Sequence, residues 1–125
     1  MSTGPKFFLT RRALNDLKEI YEYSLEQWGE ITADTYISRL YDEMRKVANS
    51  PETGRIRQDR SYPYLMAPIE KHYAIYKKIS GGIIIATILH NMRDIESIMR
   101  SITPALTDQV TEIEKRIKPD NKKKN

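Results

Sequence analysis

The stretch HYAIYKKISGGIIIATILHNMRD, from His72 to Asp94, holds both histidines of the chain. Lys77 and Lys78 lie between them, and Arg93 follows closely. An imidazole can take and give a proton near neutral pH, and cationic side chains stabilise negative charge as it develops. Such a set could run acid–base chemistry on an anionic substrate. A plainer reading competes with it: two strands around a Gly-Gly turn, with polar side chains facing water or a partner. His72 at a strand start reads as a structural hydrogen-bonding residue. His90 ends a strand, where an imidazole commonly bonds neighbouring backbone. Two histidines without an acidic pair at ligand spacing make a poor metal site. With no cysteine in the chain, a thiolate zinc site and a disulfide framework are excluded. No cofactor is expected.

A second group of cations, Arg55, Arg57 and Arg60 in GRIRQDR, follows the first half of the chain. Arginine suits bidentate contact with carboxylate or phosphate, so this cluster reads as an anion-facing surface or a solvated turn. Arg100 adds a cation further on. The C-terminal KRIKPDNKKKN holds much of the +4 net charge and reads as a solvated tail.

The elements that must position these residues follow from periodicity. KFFLT is a plausible first strand, after which Thr10 can cap a helix. Ala13, Leu14, Leu17, Ile20, Tyr21, Leu25 and Trp28 are spaced by threes and fours along one helical face. Gly29 stops that helix. Thr32 is placed to cap a second helix with the stripe Ala33, Tyr36, Ile37, Leu40, Tyr41, Met44, Val47 and Ala48. So short a connection predicts an antiparallel helix hairpin. The helix tyrosines Tyr21, Tyr36 and Tyr41 read as core residues with wet hydroxyls.

The period then changes. SYPYLMAPI is a broken strand, and Pro63 and Pro68 suit an edge or a bulge. KHYAIYKKI alternates, with His72, Ala74, Tyr76 and Lys78 facing one way and Tyr73, Ile75, Lys77 and Ile79 the other. SGG makes the turn. IIIATILH is apolar on both faces, as in a central strand. Asp94 can cap a short helix, IESIMRS, in company with Arg93. Thr103-Pro104 then reads as the start of another helix, amphipathic over 104–117. The hairpin can cover one sheet face. The other has little cover except the C-terminal segment, which suggests a partner.

At 125 residues one domain is the default. MSTGPKFF lacks the apolar core of a signal peptide, and no apolar run reaches bilayer-spanning length. A cytoplasmic location is expected.

The ordered set LTRRALNDLKEIYEYSLEQWG, ADTYISRLYDEMRKVANSPETGR and HYAIYKKISGGIIIATILHNMRD resembles the ParE/RelE superfamily of type II toxin–antitoxin toxins, and its ParE branch more than its RelE branch. The likeness covers roughly residues 6 to 100. It implies an α+β fold: an N-terminal strand, an antiparallel helix hairpin on a small antiparallel sheet, and a short C-terminal helix. Residues 1–102 would form the toxin domain and 103–125 an extension. It also implies a cognate antitoxin as partner and, for the ParE branch, inhibition of DNA gyrase by trapping the cleaved gyrase–DNA complex. RelE-like members cut messenger RNA on the ribosome. They use lysines and arginines on the sheet and a tyrosine or histidine near the C-terminus. Here Lys77, His90 and Arg93 would be that set, but IESIMRS offers no tyrosine. The expectation is therefore a binding protein without chemistry of its own. Arg55, Arg57, Arg60, Lys77, Arg93 and Arg100 are the candidate contacts to target or antitoxin. The alternative is a metal-independent, ribosome-dependent mRNA endonuclease. A degenerate member kept only as its antitoxin's partner is a third, weaker reading.

Overall fold

A computed structural model describes residues 6–54 and 63–117. Strand β1 (Lys6–Leu9) ends at Thr10, whose extended backbone and hydroxyl start helix α1 (Arg11–Trp28). The Thr10 Oγ1 accepts the Ala13 N–H at 3.0 Å and donates to the Ala86 carbonyl at 2.6 Å. It thus caps the helix and ties it to the sheet. Gly29, at φ +91°, is the whole connection to helix α2 (Glu30–Asn49). No link precedes α2 and Thr32 does not cap it. One glycine in a conformation that L side chains rarely adopt reverses the chain by itself. The hairpin is antiparallel, as expected.

Beyond a short 3-10 turn (Pro51–Thr53), β2 (Leu65–Ile69), β3 (His72–Ile79) and β4 (Gly82–His90) form an antiparallel meander. The Ser80-Gly81 pair makes its second turn, with Ile79 facing Gly82. Strand order is β1-β4-β3-β2, with β1 joining β4 in parallel. Thus β4 is central, as its unbroken apolar run predicts, and β2 with Pro68 is an edge. Gly82 permits the β1 contact, since a Cβ there would lie 1.9 Å from the Lys6 carbonyl oxygen. Ile75 pairs with Thr87 and Tyr76 with Ile85, which leaves Ala86 as an extra residue in β4 and bulges the strand.

Two cores result. On one face Ala74, Tyr76, Ile83, Ile85 and Ile88 pack with Ala13, Leu17, Leu40 and Met44 of the hairpin. On the other, Ile75, Ile84, Ala86 and Leu89 pack with Ile95, Met99, Leu106, Val110 and Ile113 of helix α3 (Ile95–Ile117). This second face corrects two expectations. The short helix and the separate helix over 104–117 are one helix of 23 residues, and the expected boundary after residue 102 falls inside it. Pro104 sits within that helix on its exposed side. The apolar stripe runs past it on the buried side, and Thr103 Oγ1 bonds the Met99 carbonyl. Nor is the second sheet face left without cover, because α3 buries it. Tyr64 meets Thr107 at 3.0 Å, Lys77 pairs with Glu114 at 2.9 Å, and the Arg12 N–H donates to Gln109 Oε1 at 3.0 Å. That last bond satisfies one of the orphan donors at the start of α1.

Three large residues of the α1 stripe are not core. Leu14, Leu25 and Trp28 are exposed, and the buried positions toward the hairpin tip are the small Ser24 and Ala33.

Candidate functional site

Strand β1 stops at Leu9, opposite Ile85, so the last part of β4 has no strand on its outer side. The start of α1 takes over. The Thr10 N–H bonds the Ile85 carbonyl at 3.2 Å, and Asp16 Oδ2 accepts the Ile88 N–H at 2.9 Å. Asp16 also accepts the Thr87 hydroxyl. The Arg12 guanidinium lies over both, 3.3 Å from Thr87 Oγ1 and 3.8 Å from Asp16 Oδ1. Burial raises the Asp16 pKa above the ordinary aspartate value, opposed by the Thr87 and Ile88 hydrogen bonds and by Arg12. The carboxylate replaces the missing strand as an acceptor.

Where this edge meets the hairpin, on the side of its Gly29 turn, there is a groove of about 870 Å³. Its floor holds the cross-strand pair His72 and His90, with ring centroids 5.0 Å apart and planes at 80°. His72 is only 8% exposed, and its Nδ1 lies 2.9 Å from the Tyr36 hydroxyl. That hydroxyl oxygen accepts the Lys71 N–H at 3.2 Å, leaving its own proton for Nδ1. Desolvation, and then the neighbouring His90, lower the His72 pKa to about 4. His72 is therefore neutral at pH 7. His90 Nδ1 accepts the Met92 N–H at 3.0 Å, which puts the proton of its neutral ring on Nε2. Both Nδ1 atoms thus hold structure together, as expected of these histidines. A ring with a pKa near 4 is a poor acid–base group near neutrality.

The walls carry charge and aromatic surface. Arg39, Lys71 and Arg93 line the groove and are exposed. Among the described residues none of the three makes a salt bridge. Tyr23 and Trp28, 58% and 61% exposed, line it from α1 as an edge-to-face pair with centroids 5.8 Å apart. Glu19 and Glu70 are the groove's other carboxylates besides Asp16, and Glu19 accepts from Asn15 at 3.2 Å.

The candidate nuclease set does not come together. His90 and Arg93 line the groove on the hairpin side, whereas Lys77 points to the opposite face and is held by Glu114. Arg100 is exposed on α3. Arg55, Arg57 and Arg60 lie outside the described residues. Arg93 does not lean on Asp94. That aspartate caps α3 instead, accepting the Ser97 N–H at 3.2 Å and the Ser97 hydroxyl at 2.9 Å. Sequence reasoning did not single out Arg12, Asp16, Tyr23, Arg39 or Lys71. Their common location depends on where β1 stops and on which end of the sheet the hairpin overhangs.

The comparison with known families is decisive at this point. Residues 7–95 match the model described as the ParE toxin of the type II toxin–antitoxin system, parDE. The chain belongs to the ParE toxin family. Toxin ParE1 of Mycobacterium tuberculosis, from both strains CDC 1551 and H37Rv, is 24% identical over 92 residues, covering 73% of this chain and 94% of the relative. A chain in the solved structure of the chromosomal ParDE TA system from P. aeruginosa shares the fold. Its TM-score is 0.59 at 20% identity, over 71% of this chain and 98% of that one. The family match ends at Ile95, the first residue of α3. No described helix is long and apolar enough to cross a membrane.

Proposed function

We propose that this ParE-family chain inhibits DNA gyrase by binding and stabilising the cleaved gyrase–DNA complex. It acts in the cytoplasm and is neutralised by a cognate antitoxin bound to it. The observation that carries this reading is the ParE match over residues 7–95. Two features support binding over bond chemistry: Lys77 is separated from His90 and Arg93 by the thickness of the sheet, and His72 is held neutral by its surroundings. Arg93 in the groove, Arg100 on α3, and Arg55, Arg57 and Arg60 are the proposed contacts to target or antitoxin. Lys77 is a weaker contact, because Glu114 already neutralises it.

The test runs two reactions side by side with purified protein. One holds gyrase, ATP and relaxed plasmid, and the other a translation mixture with labelled mRNA. The expected result is lost supercoiling, or linear plasmid with gyrase attached, while the mRNA stays intact. Codon-phased mRNA cuts with normal supercoiling would replace the gyrase reading with the ribosome-dependent endonuclease. Reversing Arg55, Arg57 and Arg60 to glutamate is expected to abolish toxicity in cells without unfolding the protein. Intact toxicity in that variant would remove those three from the contact surface.

A further inference from the structure

The groove beside the histidine pair has a chemical bias that its structural role does not explain. Among the described residues, its polar groups without a hydrogen-bond or ion-pair partner are mostly donors: the guanidiniums of Arg39 and Arg93, the Lys71 ammonium, and the Nε2–H of His90. Its acceptors are largely committed. Asp16 serves Thr87, Ile88 and Arg12, and Glu19 receives the Asn15 amide, which leaves Glu70 at the rim. Beside the donors stand Tyr23 and Trp28, two large rings left more than half exposed. A peptide brings N–H donors of its own and would find few acceptors here. A polynucleotide strand brings anionic acceptors on every phosphodiester and flat faces on its bases.

We infer that this groove binds a single-stranded polynucleotide, with bases stacked on Tyr23 and Trp28 and phosphodiesters held by Arg39, Lys71 and Arg93. Stacking on an aromatic ring and phosphate contact with cations are together the usual means of holding a strand without reading its sequence. A duplex, whose bases are already stacked on each other, cannot use the aromatic pair. The inference does not rest on the gyrase reading. Strand binding is measured on this protein alone and gyrase inhibition in the supercoiling reaction, so either can fail while the other stands.

Trp28 is the only tryptophan of the chain, so its fluorescence reports on the groove. Full-length protein is titrated with oligothymidylate, oligouridylate, a duplex of the same length and an oligoglutamate peptide, each at several salt concentrations. Both single strands are expected to quench Trp28, and the duplex and the peptide to leave it unchanged. With three phosphate contacts, log K should fall against log salt with a slope of about −2, from roughly −0.7 per contact on single strands. Arg39→Gln, Lys71→Gln and Arg93→Gln, all at exposed positions, should each reduce that slope by about 0.7. Trp28→Ala, followed by anisotropy of a labelled oligonucleotide, should weaken binding about ten-fold. If one of the two single strands alone quenches, the groove also reads the 2′-hydroxyl or the thymine methyl, and the inference narrows to that polynucleotide. Three results would overturn the inference: no quenching at low salt, equal quenching by oligoglutamate, or binding that the three glutamine variants leave unchanged. The last would place the strand on the lysine-rich C-terminus.

Discussion

Replacing His72 with glutamine should flatten the pH dependence of stability in mild acid. The folded imidazole has a pKa of about 4, against 6.5 for the unperturbed ring, because the hairpin and β3 desolvate it and His90 lies beside it. A lowered histidine pKa means that the unfolded chain binds the proton first. Stability linked to His72 is therefore fully present above the unfolded value and is lost as pH falls from about 6.5 toward 4. At pH 7 both states are nearly neutral at this residue and the linked term is close to zero. At pH 5 the unfolded ring is protonated and the folded one is not, which costs the folded state about 2 kcal/mol. The full shift corresponds to about 3 kcal/mol, reached below pH 4. With a urea slope of roughly 1–3 kcal/mol per molar for a domain of this size, the wild-type midpoint should fall by about 1 M between pH 7 and pH 5 on this account. Glutamine keeps an acceptor for the Tyr36 hydroxyl and does not titrate. Asp16 and His90 are common to both proteins, and the raised Asp16 pKa acts in the opposite direction, favouring the folded state as pH falls. The difference between the two pH profiles therefore isolates His72. If urea midpoints of wild type and His72→Gln fall in parallel from pH 7 to pH 5, the ring is not held neutral and the description of the groove floor is wrong.

Asp16→Ala should cost about 1–3 kcal/mol in urea denaturation, because it strands the Ile88 N–H at the edge of β4. Asp16→Asn, which keeps one acceptor, should cost less, and equal losses in the two variants would show that the charge rather than the acceptor matters. Pro104→Ala should raise the thermal midpoint, since proline in a helix interior is about 3 kcal/mol less favourable than alanine and this one is exposed. An unchanged or lower midpoint would mean that the helix is shaped around the proline. Removing residues 103–125 takes away Leu106, Val110 and Ile113, and the shortened protein is expected to aggregate as its sheet face opens. A soluble product of halved mass would instead show that α3 joins two copies.

How much of this could be read from sequence depended on how local the cause was. Thr10 and Gly29 mark the ends of α1 because their effects reach only three or four residues. Pro104 misled for the same reason. It obeys a local rule for a helix start, but the apolar positions 95, 99, 106, 110 and 113 continue across it. Burying five such side chains at roughly 1.5–3 kcal/mol each outweighs one helix proline. The periodicity that placed Trp28 with the core was real, yet α1 runs past the part of the sheet it covers. The histidines were legible as structural residues because strand ends have few alternatives. Asp16 was not legible. On its helix it is one acid among many, and its role exists only because β1 stops short of the end of β4. The groove itself gathers residues from both hairpin helices, the β2–β3 turn and the end of β4, which no spacing along the chain reveals.

The place where the family match ends also constrains how a partner can approach. The match stops at Ile95, and α3 then covers the sheet face that the matched residues leave open. Lifting α3 would expose Ile95, Met99, Leu106, Val110 and Ile113, at a gross cost of roughly 8–15 kcal/mol by apolar area. It would also break the Lys77–Glu114 pair and the bond from Gln109 to the start of α1. Binding free energies from micromolar to nanomolar are about 8–12 kcal/mol. A partner that takes the face under α3 must therefore supply apolar contacts nearly equal to those it displaces before any affinity remains. The groove at the hairpin end asks for no such replacement, because its aromatic rings and its cations are already exposed. A polynucleotide strand can meet Tyr23, Trp28, Arg39, Lys71 and Arg93 without rebuilding the fold, and substitutions there should change its association while leaving thermal stability in place.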